Sequence, residues 1–421
     1  MKKTAAIFLL TLLMIAGQPW INQAHGQEPI SVFIDDLSLK PDVAPVIYND
    51  RTLVPFRAIA EAMNVEVTWD EPTRTVYAAK GGTRVTLQID NPVASHNDNR
   101  ISLDTAPKIV SGRTMIPLRF FSEAFDCQVA WDSSLRRVSI TTPPQIMTVI
   151  GFYALGDSQT SSWTDLFGRS YPEMAAGHTK SLSELALGWY SLDKEGNLLD
   201  KSRTGWQRPE GWETVLDGAK QYNLACEMVI HVTDGDGTIT TLLNDTAAMK
   251  QAARAISAEA QFYKGVNLDF EGLGYNDSGA ELIQVQQKFT YFVNLLVQEL
   301  GNKGLTLTLH APNSAYPGYD YQALGKVCDQ IIIMAYDYGP KPEPISMVKQ
   351  AVELACQSVP ADKLIMGISA PSETADSIPA KIGIAKRYNL KGVALWRLGV
   401  INDGMWQALD NSLIARKESL R

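Results

Sequence analysis

Cysteine and histidine are scarce, with four of the first and five of the second among 421 residues. Cys127, Cys226, Cys328 and Cys356 show no CxxC spacing. Neither a disulfide framework nor a dithiol redox motif is therefore predicted, and buried free thiols are the expectation. The histidines are scattered without the spacing of metal ligands, so no metal and no cofactor is expected. Beyond the N-terminus there is no run of about 18 apolar residues, the length a transmembrane helix needs. Positive charge is not in surplus: 38 Lys and Arg stand against 46 Asp and Glu, a net charge of −8. That removes the electrostatic reason to bind nucleic acid or anionic lipid and suits a neutral partner such as carbohydrate. A Gly-rich phosphate loop is also missing.

What is present begins with a targeting pattern over residues 1–26. Lys2 and Lys3 precede a short apolar run, Ala5 to Ala16, and Ala24-His25-Gly26 offers small residues for cleavage before Gln27. The reading is a signal peptide and a secreted, extracellular protein, with cell-wall or spore association open. An uncleaved anchor is the alternative.

The length suits two domains. Residues 30–141 contain an internal repeat. Asp50-Arg-Thr-Leu-Val-Pro-Phe-Arg57 and Gly112-Arg-Thr-Met-Ile-Pro-Leu-Arg119 each lead into a short helical stretch. An alternating strand then ends in Trp69-Asp70 and in Trp131-Asp132. Period-2 segments at Thr75–Ala78, Val85–Ile89 and Arg137–Ile140 add further strands. The prediction is a small α+β domain of two related units. It resembles the stalk-type domain named after the N-terminal domain of copper amine oxidases. That resemblance implies a non-catalytic spacer or wall-associated module, and without a histidine cluster it does not imply copper. Thr141-Thr-Pro-Pro144 then reads as a linker.

Over residues 146–415 short apolar runs alternate with helical stretches. Eight candidate strands are Thr148–Ala154, Glu184–Tyr190, Leu224–Val232, Gly265–Glu271, Leu305–Ala311, Gln330–Tyr336, Leu364–Ala370 and Gly392–Trp396. Helical segments lie between several of them, among them Thr246–Tyr263, Glu281–Leu300 and Ile345–Ser358. The fold class is α/β, and the alternation predicts a (β/α)8 TIM barrel. An open doubly wound sheet is the alternative, which no phosphate loop supports.

The fourth candidate strand carries Gly265-Val-Asn-Leu-Asp-Phe-Glu-Gly272. Alternation puts Asn267, Asp269 and Glu271 on one face and Val266, Leu268 and Phe270 on the other. Polar groups in a barrel interior are costly without a function, and barrel active sites lie at the C-terminal mouth, where Glu271 would sit. Two neighbouring acids also raise the pKa of one, as a general acid near neutral pH requires.

This segment resembles glycoside hydrolase family 18, the chitinase-like family, whose fourth strand reads Asp-x-x-Asp-x-Asp-x-Glu. Asp269 and Glu271 match its last two acids, while Lys264 and Asn267 replace the first two. Asn at the inner position resembles the branch of spore-germination and cortex-lytic glucosaminidases. Met334-Ala-Tyr336-Asp337 resembles the sixth-strand Met-x-Tyr-Asp, and Gly392-Val-Ala-Leu-Trp396 the eighth strand with its tryptophan floor.

The resemblance implies retaining, substrate-assisted hydrolysis of an N-acetylglucosamine-containing glycan. Glu271 would be general acid and base, Asp269 would accept the acetamido N–H, and Tyr336 would orient its oxygen. Asn267, Asp337, Met334, Trp396, Tyr153 and Trp189 are the candidate substrate contacts. The three aromatic residues among them are candidates for stacking on sugar rings. The polymer is read as peptidoglycan or spore cortex, with chitin the alternative, and endo or exo action stays open. The run Trp206 to Trp212 reads either as a sugar-binding loop or as a loop folded on the barrel. His231 and His310 read as satisfied barrel residues rather than catalysts. A catalytically inactive carbohydrate-binding or structural wall protein is the alternative function.

Overall fold

The computed structural model describes residues 29–154, 161–202 and 205–417. The expected signal peptide, residues 1–26, lies outside them. Each repeat of the first domain folds as its sequence pattern dictates. Strand Arg51–Pro55 runs into helix Phe56–Ala62 and then strand Glu66–Asp70. Arg113–Pro117, Leu118–Ala124 and Gln128–Asp132 repeat the path. In each copy a proline closes the strand and stands just before the first helical turn, where its missing N–H costs nothing. The two Pro-ended strands pair antiparallel, with Leu53 opposite Pro117 and Pro55 opposite Met115, so the repeats face each other about a local two-fold. Phe56 of the first copy and Phe121 of the second meet edge to face at 5.6 Å in the shared core.

The second domain is a closed parallel barrel. Its strands are β1 (Gln145–Tyr153), β2 (Glu184–Leu192), β3 (Ala225–Thr233), β4 (Gly265–Glu271), β5 (Gly304–His310), β6 (Gln330–Met334), β7 (Leu364–Ser369) and β8 (Gly392–Trp396). Each pairs in parallel with the next, and β8 closes on β1, Thr148 standing opposite Gly392. The predicted helices form at Thr246–Glu259, Gly279–Leu300 and Ile345–Cys356. Asp245 caps the first of them by accepting from the N–H groups of Ala247 and Ala248. The odd-even rule separates two apolar layers. Val266, Leu268 and Phe270 of β4 pack outward under helix Gly279–Leu300, where Phe270 stacks on Phe292. Ile150, Phe152, Ala186, Val229, Ile332, Ile365 and Ala394 fill the interior.

Two expectations are corrected. The sixth strand stops at Met334, two residues early, because the Ala335 N–H turns back to the Ile333 carbonyl and Asp337 takes a left-handed φ of 65°. Tyr336 and Asp337 thus begin the loop above the strand. The segment read as a linker is a docked joint. Only Thr142 to Pro144 separates the last strand of the first domain from β1. Thr142 gives its N–H and hydroxyl to the Asp35 carboxylate at 2.8 and 2.6 Å. Lys386 of helix Ile378–Arg387 reaches the Thr142 hydroxyl at 3.0 Å and lies 3.8 Å from Asp35, nearly all of this buried. Leu37 of the first domain enters the barrel's outer apolar layer. The four cysteines are free, and three of them are buried.

Candidate active site

The site grows out of the inward-facing residues of β3 to β6. At the bottom of the column Glu227 of β3 is buried among Thr306 of β5, Gln330 of β6 and Asn267 of β4. Burial and the charge of Glu184 push its carboxyl up to about 8. Lys264, which replaces the first family acid, lies 3.5 Å from Glu184. Asn267 is fully enclosed: its amide donates to Glu227 at 3.4 Å, and its carbonyl accepts from Thr308 at 2.7 Å. It therefore braces the acids above it and touches no open space, which corrects its reading as a substrate contact.

Asp269 stands one step higher, 3% exposed, and its Oδ1 has no hydrogen-bond partner. Glu271 ends the strand with about a third of its side chain open to the mouth. His231 of β3 lies opposite Asp269 in register and points to the same interior. Its Nε2 is 3.4 Å from Glu271 Oε1. Burial and the Glu271 charge raise the Asp269 carboxyl. Burial works to raise Glu271 as well, but the hydrogen bond and charge of His231 outweigh it and hold Glu271 below the ordinary glutamate value. His231 is raised in return: burial opposes its charge, and Glu271 and Asp269 more than offset that. The cluster thus favours a proton on Asp269 and on His231 and the negative charge on Glu271. Of the two acids it is Asp269, and not Glu271, that is raised.

His231, Asp269 and Glu271 each offer a ligand atom within 4.8 Å of the others, close enough to receive a divalent cation. A proton can move between Asp269 and Glu271 across that spacing through one bridging water. His310 of β5 also faces Glu271, its pKa lowered by burial, and its ring stacks on Tyr316 at 4.2 Å.

Aromatic rings shape the mouth. Trp396, ending β8, meets Phe152 edge to face at 5.4 Å. Trp206 lies parallel to Trp396 at 5.2 Å and to the His231 ring at 4.2 Å. Gly188 makes room for it, since a Cβ there would stand 2.3 Å from the Trp206 ring. Tyr336 leans over another bare position: a Cβ on Gly367 of β7 would be 3.0 Å from its ring. Burial and the nearby charges of Asp269, Glu271 and Asp337 keep the Tyr336 phenol protonated, so it remains a hydrogen-bond donor. Met334 shares the inward parity of Gln330 and Ile332 and is buried beneath this ring of groups. Asp337 is exposed at the rim, raised by burial and by Glu343.

Trp189 and Tyr153 do not reach the site, which corrects their reading as sugar platforms. Both are buried in the outer layer, 6.1 Å apart, because they share the outward parity of Leu187 and Val149. The aromatic loop divides between its two readings. Trp206 enters the mouth, while Trp212 packs on Trp189 beneath the Arg208 guanidinium. Sequence reasoning also set His231 aside, although a histidine two steps from Val229 and four from Glu227 carries the inward parity.

The C-terminal mouth of the closed barrel thus gathers two acids, a tyrosine and a tryptophan, and the comparisons with known proteins put the chain in the class of glycoside hydrolases. The model described as glycosyl hydrolases family 18 matches residues 220–374, and that of the copper amine oxidase N-terminal domain matches residues 33–140. The chain therefore carries a family 18 glycosyl hydrolase domain behind a copper amine oxidase N-terminal domain. Among similar proteins, the uncharacterized glycosylase YvbX of Bacillus subtilis (strain 168) is 25% identical over 251 residues, 53% of this chain and 68% of that protein. The cortical fragment-lytic enzyme of the same organism is 22% identical over 254 residues, 43% of this chain and 57% of that protein. The spore cortex-lytic enzyme SleL of Bacillus megaterium QM B1551 superposes with a TM-score of 0.52 at 17% identity. That superposition covers 66% of this chain and 76% of SleL, a likeness of fold.

Proposed function

We propose that the protein hydrolyses an N-acetylglucosamine-containing glycan of the cell wall, peptidoglycan or spore cortex, with retention and with help from the substrate's own acetamido group. The observation that carries this reading is the buried Asp269, its Oδ1 unpartnered, directly below the half-open Glu271. Their nearest oxygens lie within 4.8 Å. An inverting pair needs roughly 6.5–9.5 Å to seat a water between the two carboxyls. Asp269 is too enclosed to attack a sugar carbon, but it can accept the N–H of an acetamido group.

Glu271 protonates the glycosidic oxygen, and the acetamido oxygen attacks C1 to give a cyclic oxazolinium ion. Asp269, its proton passed to Glu271, balances that charge. Tyr336 donates to the acetamido oxygen, and Glu271 then takes a proton from the incoming water. The nucleophile comes from the substrate, so this chemistry calls on no metal. The relatives named for cortical fragments and spore cortex support the choice of polymer. The proposal includes export by the N-terminal signal. It also includes wall association through the first domain, whose Trp69 and Trp131 stand at matching places in the repeats, 39% and 40% exposed.

Glu271→Gln is the test. Turnover of a chromogenic N-acetylglucosamine oligomer should fall by about 10²- to 10⁴-fold while oligomer binding survives, since a positioned acid is worth that much. Turnover near that of the unaltered protein would refute the assignment. Product analysis on purified peptidoglycan and on chitin tests the choice of polymer.

A further inference from the structure

We propose that His231 is a positioning residue of the hydrolytic step: its imidazolium holds Glu271 and stabilises the carboxylate that remains when the proton leaves. This rests on the reading of Glu271 as the acid.

His231 is fixed on every side. Its strand is pinned where the Ser191 hydroxyl donates to the His231 carbonyl at 2.8 Å. Its ring lies flat under Trp206 at 4.2 Å and 8° between planes. Nε2 faces Glu271 Oε1 at 3.4 Å, while Nδ1 is buried with no partner. The unpartnered Nδ1 costs free energy in either charge state, so what selects the state is what meets the rest of the ring. A cationic ring gains twice, from the carboxylate in front and from the indole face above.

The charged and titratable groups around it are few. Asp269 and Glu271 face it from β4. His310 on β5, with Tyr336 and Asp337 above β6, faces Glu271 in turn. Asp234, at the end of its own strand, is turned to the Thr240 amide and hydroxyl. The two acids therefore set its charge.

In the first step the Glu271 O–H bond breaks as its proton passes to the glycosidic oxygen. That oxygen keeps the electron pair of the broken C1–O bond, and the acetamido oxygen supplies a pair to C1. The new Glu271 carboxylate meets an imidazolium that is already in place, and His231 keeps its proton throughout. In the second step Glu271 recovers a proton from water.

His231→Phe keeps an aromatic ring under Trp206 and removes both donor and charge. It should lower kcat by about 10- to 100-fold, the range of a hydrogen bond to a charged group, with KM little changed. Glu271 loses the partner that held its carboxyl down, so its limb of the pH–rate profile should move to higher pH. His231→Gln, which donates without titrating, should recover part of kcat. A second measurement needs no turnover. The His231 imidazole should titrate by nitrogen-15 NMR above the ordinary histidine value in the unaltered protein. In Glu271→Gln it should titrate lower than in the unaltered protein, because the hydrogen bond and charge of Glu271 are gone and only Asp269 is left to oppose burial.

The same midpoint in both proteins, or a His231→Phe variant with full kcat and an unmoved profile, overturns the inference. If the unaltered protein cleaves no glycan, the functional reading falls by itself, and the NMR comparison still decides whether His231 answers to Glu271.

Discussion

Asp269 and Glu271 do not titrate as two separate acids. Burial and its neighbour push Asp269 up to about 8, while His231 holds Glu271 down, so on the proposed mechanism the reacting proton belongs to the pair. Below that value one proton is shared and can reach Glu271; above it the proton is gone and the acid step fails. The kcat/KM profile should therefore fall on an alkaline limb near 8. Asp269→Asn removes the sharing partner, so the limb should move to lower pH as Glu271 titrates alone beside His231. Turnover should also drop by about 10²- to 10³-fold, the usual cost of losing a preorganised charge at a developing ion. A pH–rate series on both proteins decides it, and an unmoved limb would count against the shared proton. Parity along one strand made this pair legible, since only residues two apart face the same way. The same parity would have excluded Trp189 and Tyr153 from the mouth and admitted His231. Aromatic identity drew attention to the first two, and an apolar setting drew it away from the third.

Among elements, β2 does more than close the barrel. Its Gly188 is the gap in which Trp206 lies, and Trp206 in turn fixes the His231 ring. Gly188→Ala should lift Trp206 off His231 and overpack the mouth, at a cost of about 1–3 kcal/mol. A lower Tm, altered tryptophan fluorescence and reduced kcat should appear together; an unchanged kcat would show that the stack is dispensable. Such a contact is illegible in sequence, because a bare strand position and a loop aromatic eighteen residues later carry no common period. The strands themselves were legible, because short apolar runs between helical stretches leave few alternatives. The end of β6 was not, because Ala335-Tyr336 keeps an apolar texture after the chain has already turned.

On the scale of the whole molecule, the first domain touches the barrel at Lys386 and Arg387, the C-terminal end of helix Ile378–Arg387. That helix runs back from the end of β7 to the start of β8, so the contact lies at the N-terminal end of the barrel, and Glu271 is at the other. Trp69→Ala combined with Trp131→Ala should weaken retention on insoluble wall and leave cleavage of small soluble oligomers near its full rate. Sedimentation with purified wall and a soluble assay separate the two, and equal retention would remove the wall-binding role. The repeats were legible as repeats. Their docking was not, because Asp35 and Lys386 are 351 positions apart.

The joint at Thr142 also sets a geometry of work. On the proposed function, a wall strand held by the first domain and a bond cut at the mouth are separated by at least the height of the barrel, about 20 Å for a six- or seven-residue strand. A tool held that way does not creep along the thread it grips. It cuts whatever neighbouring threads come within its radius, so a meshwork would open in scattered patches around each anchored molecule and would not unravel from strand ends.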